Sequence, residues 1–120
     1  MQEQIPDAVR NKLAQFQTLQ QQLQMVSVQK QQLVVEKSEL DAASSELEKA
    51  KSDTYKSVGP LLIKATKADI KKEVDDVLVS VSNRITLLEK QEQKLATKAQ
   101  EIQKDLTASM SANAGKATAD

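Results

Sequence analysis

Histidine and cysteine are both missing from this chain of 120 residues. Their absence removes disulfides, thiolate nucleophiles, the usual zinc ligands and the one side chain that ordinarily titrates near neutrality. Aromatic residues are nearly absent too, with no Trp and only Phe16 and Tyr55, and the 17 basic side chains are cancelled by 17 acidic ones. A nucleic-acid binder relies on a basic field and on stacking platforms, so nucleic acid is not expected as a partner. Gly59 and Gly115 are the only glycines, which excludes a glycine-rich phosphate loop. No stretch approaches the roughly 20 apolar residues that cross a bilayer, and the opening MQEQIPDAVRNK has no apolar signal core. The expectation is a soluble, cytoplasmic chain with no membrane partner.

The same absences bear on catalysis. Without histidine the serines, including the pair Ser44-Ser45, have no base with which to form a triad. Asp75-Asp76 is a carboxylate pair, but adjacent residues of a helix do not converge on one site, so it reads as solvated surface. No catalytic residue, metal ligand or cofactor is expected, and the chain does not read as an enzyme.

What the sequence does contain is heptad order. Leu19, Val26, Leu33, Leu40 and Leu47 recur every seven residues, and Val74, Val81, Leu88, Leu95 and Ile102 do so again further along. Each column describes one side of a helix made to lie against another. The first has a companion column of Val9, Phe16 and Leu23 that continues as Lys30, Lys37 and Ser44; the second has Leu78, Ile85, Glu92, Ala99 and Leu106. Lys30 and Lys37 therefore stand where a strict seam wants apolar groups. The register puts Lys30 within a turn of Glu89 and Glu92, so either an interhelical pair pins the register there or the lysine stems snorkel to solvent. Half of the residues from Gln15 to Gln32 are glutamine, a good helix former that here surrounds the apolar stripe as a solvated face.

The punctuation sets the boundaries. Pro6 suits a first helical turn and Asp7 complements its positive end, so helix one is expected over about 6–51, with Lys49 and Lys51 at its negative end. Thr66-Lys67-Ala68-Asp69 has the T-x-x-D form of a capping box and opens helix two, expected over about 67–110. The remaining SANAGKATAD, 111–120, is small, polar and without period, and is expected to be disordered.

Between the helices, 54–66 (TYKSVGPLLIKAT) is β-branched and apolar with Gly59-Pro60 at its middle. A short β-hairpin is the natural reading, with strands at 55–58 and 61–65; a single strand bent at Gly59 is the rival, and Gly-Pro alone does not fix the turn type. The helices, each about 46 residues and roughly 70 Å long, match in length and so suit an antiparallel pair. Folding about Gly59 makes facing residue numbers sum to about 118, which sets Leu33 near Ile85, Leu19 near Ala99 and Phe16 near Ile102. Two such helices have little interior, so stability is expected to come from partners.

The insert asks for those partners. A lone hairpin is marginal in water, and Leu61, Leu62 and Ile63 put apolar side chains on both of its faces. Inserts of several chains combining into a shared barrel would satisfy it, through Tyr55, Val58, Gly59, Leu61, Leu62 and Ile63. A hairpin folded back over its own coiled coil is the alternative. At the other end of the pattern, Ile5, Val9, Leu13, Phe16, Met25 and Val28 on helix one and Ile102, Leu106 and Met110 on helix two exceed what a two-helix seam covers. Singly such residues are ordinary; clustered where a coil opens they make an adhesive patch for non-native chains, which pliable methionines suit.

These residues carry a family resemblance. LAQFQTLQQQLQMVSVQKQ (13–31), YKSVGPLLIKATK (55–67) and LLEKQEQKL (87–95) resemble the β subunits of archaeal prefoldins, over about residues 5 to 110. The resemblance implies a mainly α fold, a long antiparallel coiled-coil hairpin whose single β-hairpin joins an oligomeric β-barrel body, in one domain spanning 1–120. The α class has a longer insert with two hairpins, so one hairpin argues for the β class. It further implies a hexamer of two α-class and four β-class chains, an ATP-independent holdase that binds unfolded polypeptide at the coiled-coil tips and passes it to a group II chaperonin. A structural coiled-coil tether joining specific folded partners is the competing reading, and it predicts no preference for unfolded chains.

Overall fold

The computed structural model describes residues 5–118, and side chains over 5–112. Helix α1 spans Asp7–Lys49, strand β1 Thr54–Val58, strand β2 Leu61–Ala65 and helix α2 Lys67–Thr118. Both helices are long because glycine and proline are absent from their interiors until Gly115, while Gln, Leu, Lys and Glu, all good helix formers, fill them.

The boundaries follow local chemistry. Pro6 stands one residue ahead of α1, its carbonyl accepting the first helical bond from the Arg10 N–H at 3.0 Å, and Asp7 supplies the acidic first turn. At the other end the Ala50 N–H reaches back to the Leu47 carbonyl at 3.2 Å, the tightened turn that closes many helices. α1 thus stops at Lys49, slightly before the expected Lys51. For α2 the Thr66 Oγ1 accepts from the Asp69 N–H at 3.2 Å, and the Thr66 carbonyl accepts from the Ile70 N–H at 3.0 Å. Thr66 is therefore a working N-cap.

The expectation of a disordered 111–120 is corrected by the extent of α2, which continues through Thr118. Ala108, Ala112, Ala114 and Ala117 are the strongest of helix formers, and one interior glycine, Gly115, costs only about 1 kcal/mol against alanine. Loss of apolar period signals loss of a buried face, not loss of helix. Ala119 and Asp120 of that expected tail lie outside the described residues.

Packing divides the chain into two units, each drawing on both helices. One runs up to Val28 and again from Glu89 onward; the other is Gln29–Leu88 and includes the sheet. In the hairpin-bearing unit Leu33, Val81 and Ile85 are buried together, with Leu40 and Leu88 packed against them. Leu33 and Ile85 share this cluster, as a numbering sum of 118 requires. In the terminal unit Val26, Ala99 and Leu106 are buried. Among the described residues, all six buried ones fall on the heptad columns, so the seams are real packing lines. Lys37 is exposed and Lys30 half-buried.

Candidate functional site

Two surfaces carry the residues singled out above. In the hairpin-bearing unit β1 and β2 pair antiparallel, in the register Thr54↔Ala65, Tyr55↔Lys64, Lys56↔Ile63, Ser57↔Leu62 and Val58↔Leu61. A single strand bent at Gly59 is thereby excluded. Gly59 has φ +57°, whereas the Pro60 ring holds its own φ at about −65°. A type I′ turn requires positive φ at both central residues, so this two-residue loop belongs to the II′ class, with glycine first.

Alternation along the strands sorts their side chains. Val58, Leu61 and Ile63 share one face with Thr54, Lys56 and Ala65; Tyr55 and Leu62 share the other with Ser57 and Lys64. The first face is anchored near its base. Thr54 Oγ1 donates to the Ala65 carbonyl at 2.7 Å, and Lys56 Nζ donates to Glu73 Oε1 on α2 at 3.0 Å. Beyond those anchors the sheet is bare: Tyr55, Val58, Leu61, Leu62 and Ile63 are all exposed, Leu62 to 74%. The hairpin therefore does not fold its apolar residues onto its own coiled coil. A two-stranded sheet of this kind presents two free edges and two apolar faces.

The base of the hairpin is set by contacts that no periodicity reveals. Lys67 Nζ donates to the Glu48 carbonyl at 2.7 Å and reaches the Ala50 carbonyl at 3.5 Å, so a cation from α2 covers the orphan carbonyls at the end of α1. Lys71 Nζ donates to Glu48 Oε1 at 3.1 Å. That hydrogen bond, with the charges of Glu48 and Asp75, holds the Lys71 ammonium above its ordinary pKa of 10.5. Sequence reading assigned the helix end to Lys49 and Lys51; the lysines that bind there come from the next helix.

The terminal unit gathers all nine residues expected to form the adhesive patch. Ile5, Leu13, Met25, Val28 and Met110 are exposed, Met25 and Met110 each to 63%. Val9, Phe16 and Ile102 are half-buried in the seam, and Leu106 is buried at 9% exposure. Leu106 continues the column of Leu78, Ile85 and Ala99, and that periodicity already marked it as seam. An ion pair between Lys12 and Asp105, 3.8 Å apart, links the helices here. Exposed apolar residues that the sequence reading did not single out, Val79 and Leu87 among them, belong to the hairpin-bearing unit.

Among the described residues no cluster of acidic side chains is placed to hold a metal, and no helix is long and apolar enough to cross a membrane. Neither surface offers a group able to act as nucleophile and base together. What both offer is apolar area open to other polypeptides.

Comparison with known proteins gives a consistent result. The family model described as prefoldin subunit matches residues 10–113. Prefoldin subunit beta of Methanococcus maripaludis is 53% identical over 103 residues, covering 85% of this chain and 91% of that protein. Prefoldin subunit beta of Archaeoglobus fulgidus is 38% identical over 113 residues, covering 92% and 97%. Among solved structures, the prefoldin beta subunit from Thermococcus strain KS-1 superimposes with a TM-score of 0.84 at 34% identity, covering 90% of this chain and 96% of that one.

Proposed function

The chain belongs to the prefoldin family, whose subunits are chaperones and not enzymes, and from that premise we propose that it is a β-class subunit of an ATP-independent holdase. In this reading its hairpin joins further copies of itself and an α-class subunit, as a hexamer of two α and four β chains in the cytoplasm. The assembly binds unfolded polypeptide through the terminal units and passes it to a group II chaperonin.

The observation that carries the reading is the coincidence of two uncovered apolar surfaces with two different demands. The sheet exposes Val58, Leu61 and Ile63 on one face and Tyr55 and Leu62 on the other, with open edges, which suits permanent pairing with other strands. The terminal unit exposes Leu13, Met25, Val28 and Met110. Scattered, flexible apolar groups of that kind suit many weak contacts with chains that have not folded. Val9, Phe16, Ile102 and Leu106 add to them when the helix ends fray.

The test is light scattering of a chemically unfolded protein diluted into buffer, with and without the chain and its α-class partner. Suppressed aggregation, together with no binding to the same protein once folded, supports the holdase. Binding to folded partners alone would establish a tether in its place.

A further inference from the structure

Beside the apolar residues of the terminal unit lies an open groove of a different chemistry. Gln17, Gln20, Gln21, Gln24 and Ser27 of α1 line it with Ala96 of α2, and half-buried Leu23 is part of the same lining. The four carboxamides are exposed, and among the described residues none of them is bonded to another protein group. Ser27 and Ala96 are small, which leaves the space between the helices open. The ionisable wall residue Glu92 is half-buried at a seam position and already engaged within the protein.

A carboxamide carries one acceptor and two donors, the same complement as a peptide group. Residues three and four apart lie along one side of a helix, so Gln17, Gln20 and Gln24 form a row rather than a scatter. A row of neutral donor-acceptor groups beside half-buried Leu23 does not select a charge or a side-chain shape. It matches what every unfolded chain shows and a folded one hides: unpaired backbone N–H and C=O groups.

We propose that this groove binds the extended main chain of unfolded polypeptide through the carboxamides of Gln17, Gln20 and Gln24, while the neighbouring apolar residues hold its side chains. The inference rests on the holdase reading and adds that recognition is partly by backbone. Preference for unfolded over folded protein then has a hydrogen-bonding origin as well as an apolar one.

The triple variant Gln17→Met, Gln20→Met, Gln24→Met separates the two origins by sign. Methionine keeps length and helix propensity but removes both donor and acceptor while adding apolar surface. The assembled full-length protein is titrated with a fluorescent, unstructured apolar peptide, and with the same peptide carrying N-methyl groups at alternate amides; circular dichroism checks that helicity is kept. Losing three amide contacts should weaken binding of the plain peptide at least about tenfold. The N-methylated peptide should bind the unchanged protein more weakly than the plain one, and the variant, which keeps only Gln21 of the groove's carboxamides, should distinguish the two much less. Plain-peptide binding that is unaltered or tightened in the variant overturns the inference and leaves the holdase standing. An unchanged protein that takes up neither peptide and does not suppress aggregation overturns both.

Discussion

At the scale of single residues the seam columns make the sharpest claims. Leu33 is buried with Val81 and Ile85, so Leu33→Ala removes well-packed side chain and should lower stability by about 2 to 5 kcal/mol, towards the low end where the two helices can close on the gap. Met25→Ala and Val28→Ala, both at exposed positions, should stay within about 0.5 kcal/mol. Urea denaturation of the three variants checks the contrast, and equal losses would refute the face assignment. Lys71 supplies a test in pH. Its ammonium is favoured by Glu48 in the folded chain, so its pKa lies above 10.5 there and falls back on unfolding. The contribution of the pair is thus whole below pH 10.5 and is lost as pH rises through the folded value. Side-chain NMR should show Lys71 titrating later than an unpaired lysine, with Glu48→Gln removing most of the difference and the Asp75 charge keeping the rest; a Lys71 that already titrates with the others would contradict the contact. Heptad period made Leu33, Val81 and Ile85 legible in advance because burial in a coiled coil repeats with the chain. Lys67 and Lys71 were not legible, since a flexible side chain reaching back across a turn leaves no period behind it.

At the scale of elements, helix and hairpin differ in how far sequence determined them. The helices were readable from period and from Thr66 as a cap, and their ends departed where propensity outweighed pattern, as in the alanine-rich end of α2. The hairpin was readable from Gly59-Pro60 between apolar runs, but its turn class depended on a dihedral angle. Gly59 adopts φ +57° with open space around the position a Cβ would take. Gly59→Ala should therefore cost the hairpin about 1 to 2 kcal/mol through backbone conformation alone, since no side chain is displaced. Weaker assembly at unchanged helicity is the expected readout; assembly as strong as that of the unaltered chain would place the turn outside the interface energetics. Leu62→Lys with Ile63→Lys probes both apolar faces at once, because the two side chains alternate across the sheet. Sedimentation should show the oligomer dispersed while circular dichroism still reports helix, and a fully assembled double variant would defeat the shared-sheet proposal.

At the scale of the whole molecule, the proposed function divides its labour between two packing units that each use both helices. The hairpin-bearing unit owns the exposed sheet, and the terminal unit owns the exposed residues Ile5, Leu13, Met25, Val28 and Met110. On the proposed reading, assembly and capture should therefore be separable by mutation. On the proposed holdase reading, affinity for clients comes from several terminal units acting on one unfolded chain, so it should fall by steps as apolar area is removed. Added salt should leave most of it, because burial of apolar surface is not screened as exposed ion pairs such as Lys12–Asp105 are. The proposed client surface is only partly marked in the sequence. Period identified seam and exposed positions, yet an exposed apolar residue looks the same whether it serves a client or nothing.

The central claim is that the terminal unit captures unfolded protein independently of the sheet that builds the oligomer. The measurement that reaches it most directly is aggregation suppression and sedimentation on one preparation, comparing full-length assemblies with assemblies of chains lacking residues 1–16 and 103–120, which removes Val9, Leu13, Phe16, Leu106 and Met110 together. An oligomer of the same subunit number that no longer protects the unfolded protein is the predicted result. An intact oligomer of shortened chains that protects it as well as the full-length assembly would contradict the account.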